Sequence, residues 1–396
     1  MFELEEVVAL EAETGSTVIK VVGVGGAGGN AVEHMIREGV GGVEFICCNT
    51  DAQALKKSTA HVKLQLGPGL GAGGKPEKAR ELAVLDRERI ADALRGAHMV
   101  FITAGMGGGT GTGAGPVVAE VARELGILTV AVVTKPFEYE GKRKRLAEEG
   151  VAELALHVDS LIIILNEKLE EVLGDEVSML EAFQAADNVL RNAVGGIAEI
   201  INVPGLVNVD FEDVRTVMGE MGKAMMGSAV AAGVDRARVA AEEAVASPLL
   251  EGIELSGARG VLVNITASTT LGLREYKEVM KTIRQYTAPE ATVICGAVFD
   301  ETMEDQLRVT VVATGLGIVA AREAAKPSIR MVEAVGLRTG TDNLPVYDVG
   351  VGMQIDLSSV TSSARGSMPR NAQADAMAAS GVDKYDIPAF LRRQSD

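Results

Sequence analysis

Ala104-Gly105-Met106-Gly107-Gly108-Gly109-Thr110-Gly111-Thr112-Gly113-Ala114-Gly115 is the stretch that decides the fold. A strand-like apolar run, His98 to Ala104, enters it, and a helix-like run opening on proline, Pro116 to Leu125, leaves it. Glycine at this density removes the Cβ atoms that keep backbone away from a ligand, and it allows positive φ. Two threonine hydroxyls and the positive end of a helix stand among the exposed N–H groups. This pattern predicts a cradle for phosphate oxygens. A flexible glycine turn is the plainer reading, but flexible linkers are not usually set between a buried strand and a proline-started helix.

Outward from this loop, apolar strands alternate with helices. Strand-like runs are Thr17 to Val24, Val43 to Cys48, Leu128 to Thr134 and Ser160 to Leu165, and helical runs follow Val24 and cover Glu77 to Arg95 and Gly141 to His157. Strands apolar on both faces, alternating with helices, predict an α/β fold whose parallel sheet is covered on two sides, a Rossmann-type nucleotide-binding domain. A long helical pattern, Ser178 to Ile201, joins it to a smaller α+β domain with strands at Ala224 to Val230, Gly260 to Ala267, Thr292 to Phe299 and Leu307 to Thr314, and helices at Arg236 to Ala246 and Leu273 to Tyr286. The expected organisation is a loose tail (1–16), a nucleotide-binding domain (17–177), a connecting helix (178–204), a C-terminal domain (205–316), a disordered linker (317–382) and a C-terminal peptide (383–396). Within the linker, 353–366 is the only part with a hint of strand.

The chain of 396 residues is 47% hydrophobic but only 3% aromatic, so its core is aliphatic. A net charge of −17 repels nucleic acid and anionic membrane from the protein as a whole. Cys47, Cys48 and Cys295 all lie in apolar strand-like runs, and the adjacent pair points to opposite faces of its strand, which reads as buried thiols in a reducing cytosol. Neither a signal peptide nor an apolar run of membrane-spanning length is present, so a cytoplasmic protein without direct membrane insertion is expected.

Several further motifs carry chemistry. Gly23, Gly25 and Gly28 satisfy the GxGxxG spacing between a strand and a helix, which makes a dinucleotide oxidoreductase the first alternative, with Asp51 as its ribose acid. A second, richer phosphate loop at 104–115 suits a single nucleotide with a long phosphate chain better. Gly69 to Lys75 fits the start of a Walker A loop, but Pro76 stands where Ser or Thr should bind Mg²⁺, and no clear apolar strand feeds it. A third loop closing on the terminal phosphates, with Ala72 and Gly73 offering N–H groups, fits better. Phe183 and Asp187 share a helix face. Ring and carboxylate together suit guanine, whose edge carries adjacent N–H donors, although a core Phe beside a surface Asp is the commoner meaning of such a pair. Glu140 opens a basic helix and suits ribose hydroxyls. Asn208, Asp210 and Asp213 follow the long helix. Asp210 suits a helix N-cap, and the carboxylates also suit orienting a water for attack on phosphorus, with or without Mg²⁺. By helical rise they lie roughly 30 Å from the helix start, too far to reach this subunit's own loops.

GGGTGTG at 107–113 and GxxNxDxxD at 205–213, together with GVGGAGGNAV at 23–32, NTDAQAL at 49–55, GLGAG at 69–73 and DIPAFLRRQ at 386–394, resemble the cell-division branch of the tubulin/FtsZ family of GTPases. The resemblance runs from Thr17 to Thr314 and resumes in the tail. It implies a tubulin-like fold and GTP/GDP binding, with Mg²⁺, through Gly26, Ala27, Gly28, Gly29, Asn30, Ala72, Gly73, Gly107, Gly108, Gly109, Thr110 and Gly111. Glu140, Asn166, Phe183 and Asp187 would contact ribose and base. It implies head-to-tail filaments in which Asp210 and Asp213 complete the neighbour's site, a cytoplasmic location at the mid-cell division site, and a tail (386–394) that docks on membrane-tethering adaptors of the FtsA and ZipA type. The family's arginine falls on Lys144 counted from Glu140, or on Arg143 if one residue is deleted.

Overall fold

The computed structural model describes residues 17–174, 177–203, 205, 207, 209–220, 222–247, 257–316, 337–338 and 345–346. Chain contacts divide it into a large unit, residues 1–326, and a small one, residues 327–396. The N-terminal tail, Asn208 and the C-terminal peptide lie outside the described residues, as does the strand hint at 353–366.

In the large unit, β1 (Ile19–Val24), β2 (Val43–Asn49), β3 (Val62–Gln65), β4 (Met99–Gly105), β5 (Leu128–Lys135) and β6 (Ser160–Leu165) pair in parallel in the order β3-β2-β1-β4-β5-β6. The order reverses between β1 and β4, and open sheets of this kind bind ligands at the carboxyl ends of the strands at such a point. The sheet does not stop at β6. Ile162 of β6 pairs in parallel with Ala224 of β7 (Gly222–Ala232), and β10 (Gln306–Leu316), β8 (Gly260–Ala267) and β9 (Thr292–Phe299) extend it to ten strands.

Alternate residues of each strand serve different cores. Val21, Cys47, Phe101 and Val132 face α1 (Gly25–Arg37) and α8 (Met179–Asn202), whereas Val22, Cys48, Ile102 and Val133 face α5 (Thr110–Glu124) and α6 (Lys142–Leu154). Cys47 and Cys48 therefore lie on opposite faces, and burial pushes the Cys48 thiol up to about 12 and raises that of Cys47. α8 is started by a reciprocal cap: Ser178 N–H donates to Glu181 Oε2 at 2.9 Å, and the Glu181 N–H donates to Ser178 Oγ at 3.3 Å. Its stripe of Ala186, Leu190, Ala193, Ile197 and Ile200 shares one core with β1 and β4 as well as with Leu262 and Val312 of β8 and β10. α10 (Arg236–Val245) and α11 (Leu273–Tyr286) cover the other face of the last strands.

Three expectations need correction. The helix after the glycine stretch begins at Thr110, so Pro116 is its seventh residue and not its first. Close packing outweighs the poor helix propensity of Gly111 and Gly113, because a Cβ on either would meet a backbone oxygen, Gly105 O at 2.6 Å or Pro76 O at 2.0 Å. The run from Glu77 to Arg95 is two helices, α3 (Pro76–Leu85) and α4 (Arg87–Leu94), broken at Asp86. The Asp86 carboxylate instead accepts from Gly67 N–H at 2.8 Å and from Arg89 at 2.9 Å. The loop at 69–75 is fed by a strand after all, the short edge strand β3. Three short helices complete the alternation: α2 (Ala52–Lys57) and α7 (Asn166–Leu173), each too short to set up a helical period, and α9 (Phe211–Met218), the helix for which Asp210 suits the N-cap. In the small unit, Leu337–Arg338 (β11) and Pro345–Val346 (β12) pair antiparallel, inside the span expected to be linker.

A Cβ on Gly28 would lie 2.3 Å from Thr103 O, whereas one on Gly26 would meet nothing within 4 Å. Gly28→Ala is therefore expected to cost about 2–3 kcal/mol, and Gly26→Ala less than about 0.5 kcal/mol. Urea-denaturation midpoints of the two variants measure the difference.

Candidate functional site

The carboxyl ends of β1, β4, β5 and β6 converge on a cavity of about 250 Å³. Its floor is the start of two helices. α1 begins at Gly25 directly after β1, and α5 begins at Thr110 just past β4. Neither has a side chain bonded to its first-turn N–H groups. Both helices thus present unsatisfied donors and the positive ends of their dipoles to one space, which is the chemistry of an anion site.

The glycine loops are in mutual contact. A Cβ on Gly25 would approach Gly111 N to 2.9 Å, and one on Gly109 would approach the Ala72 side chain to 3.0 Å. Gly26 and Gly108 both line the cavity, and a Cβ on either would meet no protein atom within 4 Å, so their small size leaves room for a ligand. Thr50 Oγ1 and Thr110 Oγ1 are 2.7 Å apart, and Gly107 N–H donates to Thr112 Oγ1 at 2.9 Å, which fixes the rim of the loop.

The far wall is aromatic and polar. Phe183 is 49% exposed although it lies on α8 close to Phe137, with ring centroids 6.3 Å apart edge to face, so a free ring face is available for stacking. Asn166, at the start of α7, is buried with its Oδ1 unpartnered, as expected of a group reserved for a ligand. Glu140 accepts from Phe137 N–H at 3.1 Å and is ion-paired with Arg143, and both side chains line the cavity. Lys144 does not line it. Its ammonium bonds Glu138 at 2.5 Å, which lowers the Glu138 pKa and raises its own.

Gly26, Ala27, Gly108, Gly109, Thr110, Gly111, Glu140, Arg143, Asn166 and Phe183 are thus gathered at one cavity. Gly28 is packed beneath the floor, Gly29 and Asn30 line an adjoining hollow of about 290 Å³, and Gly107 lies against the Arg143 backbone. Ala72 is buried beside Gly109, while Gly73 is exposed. Asp187 is half-buried one turn beyond Phe183, and burial pushes its carboxyl up to about 6 against the opposing pull of His34 and Arg37. Asp51, the ribose acid of the dinucleotide alternative, caps α2 by accepting from Gln53 N–H at 2.8 Å. Thr134, near the carboxyl end of β5, and Pro136, just past it, also line the cavity, and what places them there is the end of the strand next to β4 and not any local motif.

Asp210 and Asp213 are not part of this gathering. Both are exposed at the other end of α8, about 30 Å away by helical rise. Asp210 caps α9, accepting from Asp213 N–H at 2.8 Å. Among the residues lining the cavity, Glu140 is the one acid, and its carboxylate is already engaged. No cluster of His, Cys, Asp or Glu among the described residues has the arrangement of a metal cage, and no helix among them is long and apolar enough to cross a membrane.

Residues 18–174 match the family model described as the Tubulin/FtsZ family, GTPase domain, and residues 222–317 match that of the FtsZ family, C-terminal domain. Cell division protein FtsZ of Pseudomonas aeruginosa is 52% identical, with all of both chains covered. That of Coxiella burnetii is 52% identical over 99% of each chain. Among solved structures, an empty FtsZ dimer of M. jannaschii superposes with a TM-score of 0.74 at 43% identity, covering 78% of this chain and 90% of the other. A GTPγS-bound protofilament of CetZ2 from Haloferax volcanii shares the fold, with a TM-score of 0.65 at 21% identity over 78% of this chain and 96% of the other.

Because Arg143 lines the cavity and Lys144 is committed to Glu138, Arg143→Ala is expected to weaken nucleotide binding about tenfold, the worth of one charge-assisted bond. Lys144→Ala should change it less than twofold. Fluorescent-nucleotide titration distinguishes them.

Proposed function

The chain belongs to the tubulin/FtsZ family, and we propose that it is a GTP-hydrolysing protein that assembles head to tail into the filaments of the bacterial division ring. The observation that carries this reading is an anion cradle that has no free carboxylate of its own, while two exposed carboxylates stand at the opposite end of α8. A second copy stacked in the same orientation would bring Asp210 and Asp213 to the cradle. Such a contact is heterologous and does not close, so it propagates as a filament.

In this reading the unsatisfied N–H groups at the starts of α1 and α5 hold the phosphates, with Gly26, Gly108 and Gly111 allowing the close approach. The loop at 69–75 closes on the terminal phosphate through Ala72 and Gly73. Glu140, held by Arg143, accepts from the ribose hydroxyls. Phe183 stacks on guanine, Asn166 Oδ1 accepts from its edge, and Asp187 accepts from its paired N–H donors. The neighbour's Asp213, with Asp210 and Asn208, orients a water whose oxygen attacks the γ-phosphorus as the bond to the bridging oxygen breaks. Catalysis is then mostly positioning and charge stabilisation. Mg²⁺ would be held chiefly by phosphate oxygens and water, which suits a site without a carboxylate cage, and would neutralise charge on the phosphates. The reading also places the protein at mid-cell, tethered by adaptors of the FtsA and ZipA type that bind residues 386–394.

GTPase rate against protein concentration tests the shared site. Almost no turnover is expected below a threshold, with a linear rise above it, and a constant specific activity at every dilution refutes it. Asp213→Ala is the cleaner variant, because Asp210 also caps α9 and its loss costs about 1 kcal/mol of stability. Asp213→Ala should keep GTP affinity within twofold and abolish hydrolysis, leaving long-lived filaments visible by light scattering.

Deleting residues 386–396 should leave GTPase and assembly unchanged and abolish adaptor binding. Co-sedimentation with a purified adaptor reads that loss.

A further inference from the structure

Beside the cavity, α1 and α8 meet through side chains that nucleotide binding leaves unused. His34 and Arg37 fall about one turn apart on α1. The buried His34 ring is held at both nitrogens. Nε2 lies 2.6 Å from Asn188 Oδ1 on α8, and Nδ1 lies 2.9 Å from Arg37 Nη2. A guanidinium only donates, so Nδ1 is the acceptor and Nε2 carries the proton that goes to Asn188. The positive charge at this corner is therefore that of Arg37.

Asp187 immediately precedes Asn188. It is half-buried and makes no hydrogen bond among the described residues, and the groups that draw its pKa down against burial are His34 and Arg37 of α1. The other ionisable groups nearby are engaged elsewhere. Arg191, one turn along α8, donates to Asn192 Oδ1 at 3.0 Å and acts on Asp300, with its Nε unpartnered, Glu167 on α7 accepts from Glu138 N–H at 3.1 Å, and Glu140 pairs with Arg143 three residues along the chain.

We propose that Arg37 is a positioning residue for guanine recognition, keeping the Asp187 carboxylate ionised and in place through its own charge and through the His34–Asn188 chain. The proposal rests on Asp187 being the acceptor for the base. An ionised carboxylate accepts two N–H donors side by side, and a protonated one does not. Burial puts the Asp187 midpoint at about 6 in the free protein. Guanine donors favour the ionised form, so affinity is level above about pH 7 and falls about tenfold per unit below 6. Without the guanidinium the midpoint rises and the fall begins at higher pH.

The test is the dissociation constant of GDP for the full-length protein between about pH 5 and pH 8. In Arg37→Gln the midpoint is expected to move up by about half a unit, weakening binding about threefold at pH 5 and leaving pH 8 unchanged. Arg37→Lys, which keeps the charge, should restore the original profile. Screening by 0.5 M salt should move the wild-type midpoint in the same direction as Arg37→Gln. An unmoved midpoint, or an equal loss at every pH, overturns the role of Arg37. Asp187→Asn separates the two layers. A flat profile there keeps Asp187 as the base acceptor whatever Arg37 does, and a persisting fall below pH 6 removes that reading and the proposal with it.

Discussion

The structure depends on one close approach, that of Gly28 to the Thr103 carbonyl. It lets α1 lie directly against β4, so the first turn of α1 opens beside the first turn of α5 at the switch point of the sheet. Two uncapped helix N-termini facing one space would repel each other's partial positive charge and leave donors unpaired, both unfavourable in a folded protein. A bound polyphosphate resolves both problems. The site is thus an electrostatic debt of the fold that its ligand offsets, which makes nucleotide binding and domain stability two readouts of one interaction.

α8 does two things at once. Its apolar stripe joins the core under β1 and β4 to that under β8 and β10, so the residues matched by the two family models share one sheet and one core. Its length also keeps Phe183 and Asp187 at one end and the loop carrying Asp210 and Asp213 at the other. A rigid rod of this kind cannot bend to bring its two ends together. The separation of phosphate cradle from carboxylates therefore follows from the packing of the helix.

How well the sequence could be read varied with the signal each element carried. Gly260–Ala267, Thr292–Phe299 and Leu273–Tyr286 match their expected bounds, because strong apolar runs or a clean helical period end at turn residues. α2 is too short to set up a helical period and rests on its capping aspartate, Asp51, whereas α9 buries Val214, Val217 and Met218 and is marked in the chain order by its N-cap, Asp210. Pro116 misplaced the start of α5. Proline favours a first turn, yet the glycines before it became helical because only they can pack against Gly105 and Pro76. For the site, the glycine loops and Phe183 were evident in the chain order, whereas Thr134 and Pro136 carried no local mark.

What the sequence by itself determined is the alternation of strand and helix, the phosphate-binding character of three glycine loops and the family to which they belong, since these are set by local spacing and residue type. Which basic residue stands in the cavity was beyond it: Arg143 and Lys144 are neighbours of similar chemistry, and only the direction in which a helix turn points each one assigns Arg143 to the cavity and Lys144 to Glu138. The tertiary structure alone also decided that α5 begins six residues before its proline, because close backbone packing outweighs local propensity. The same packing moves the helix N-terminus from the edge of the opening glycine stretch into its middle, where it faces the cavity.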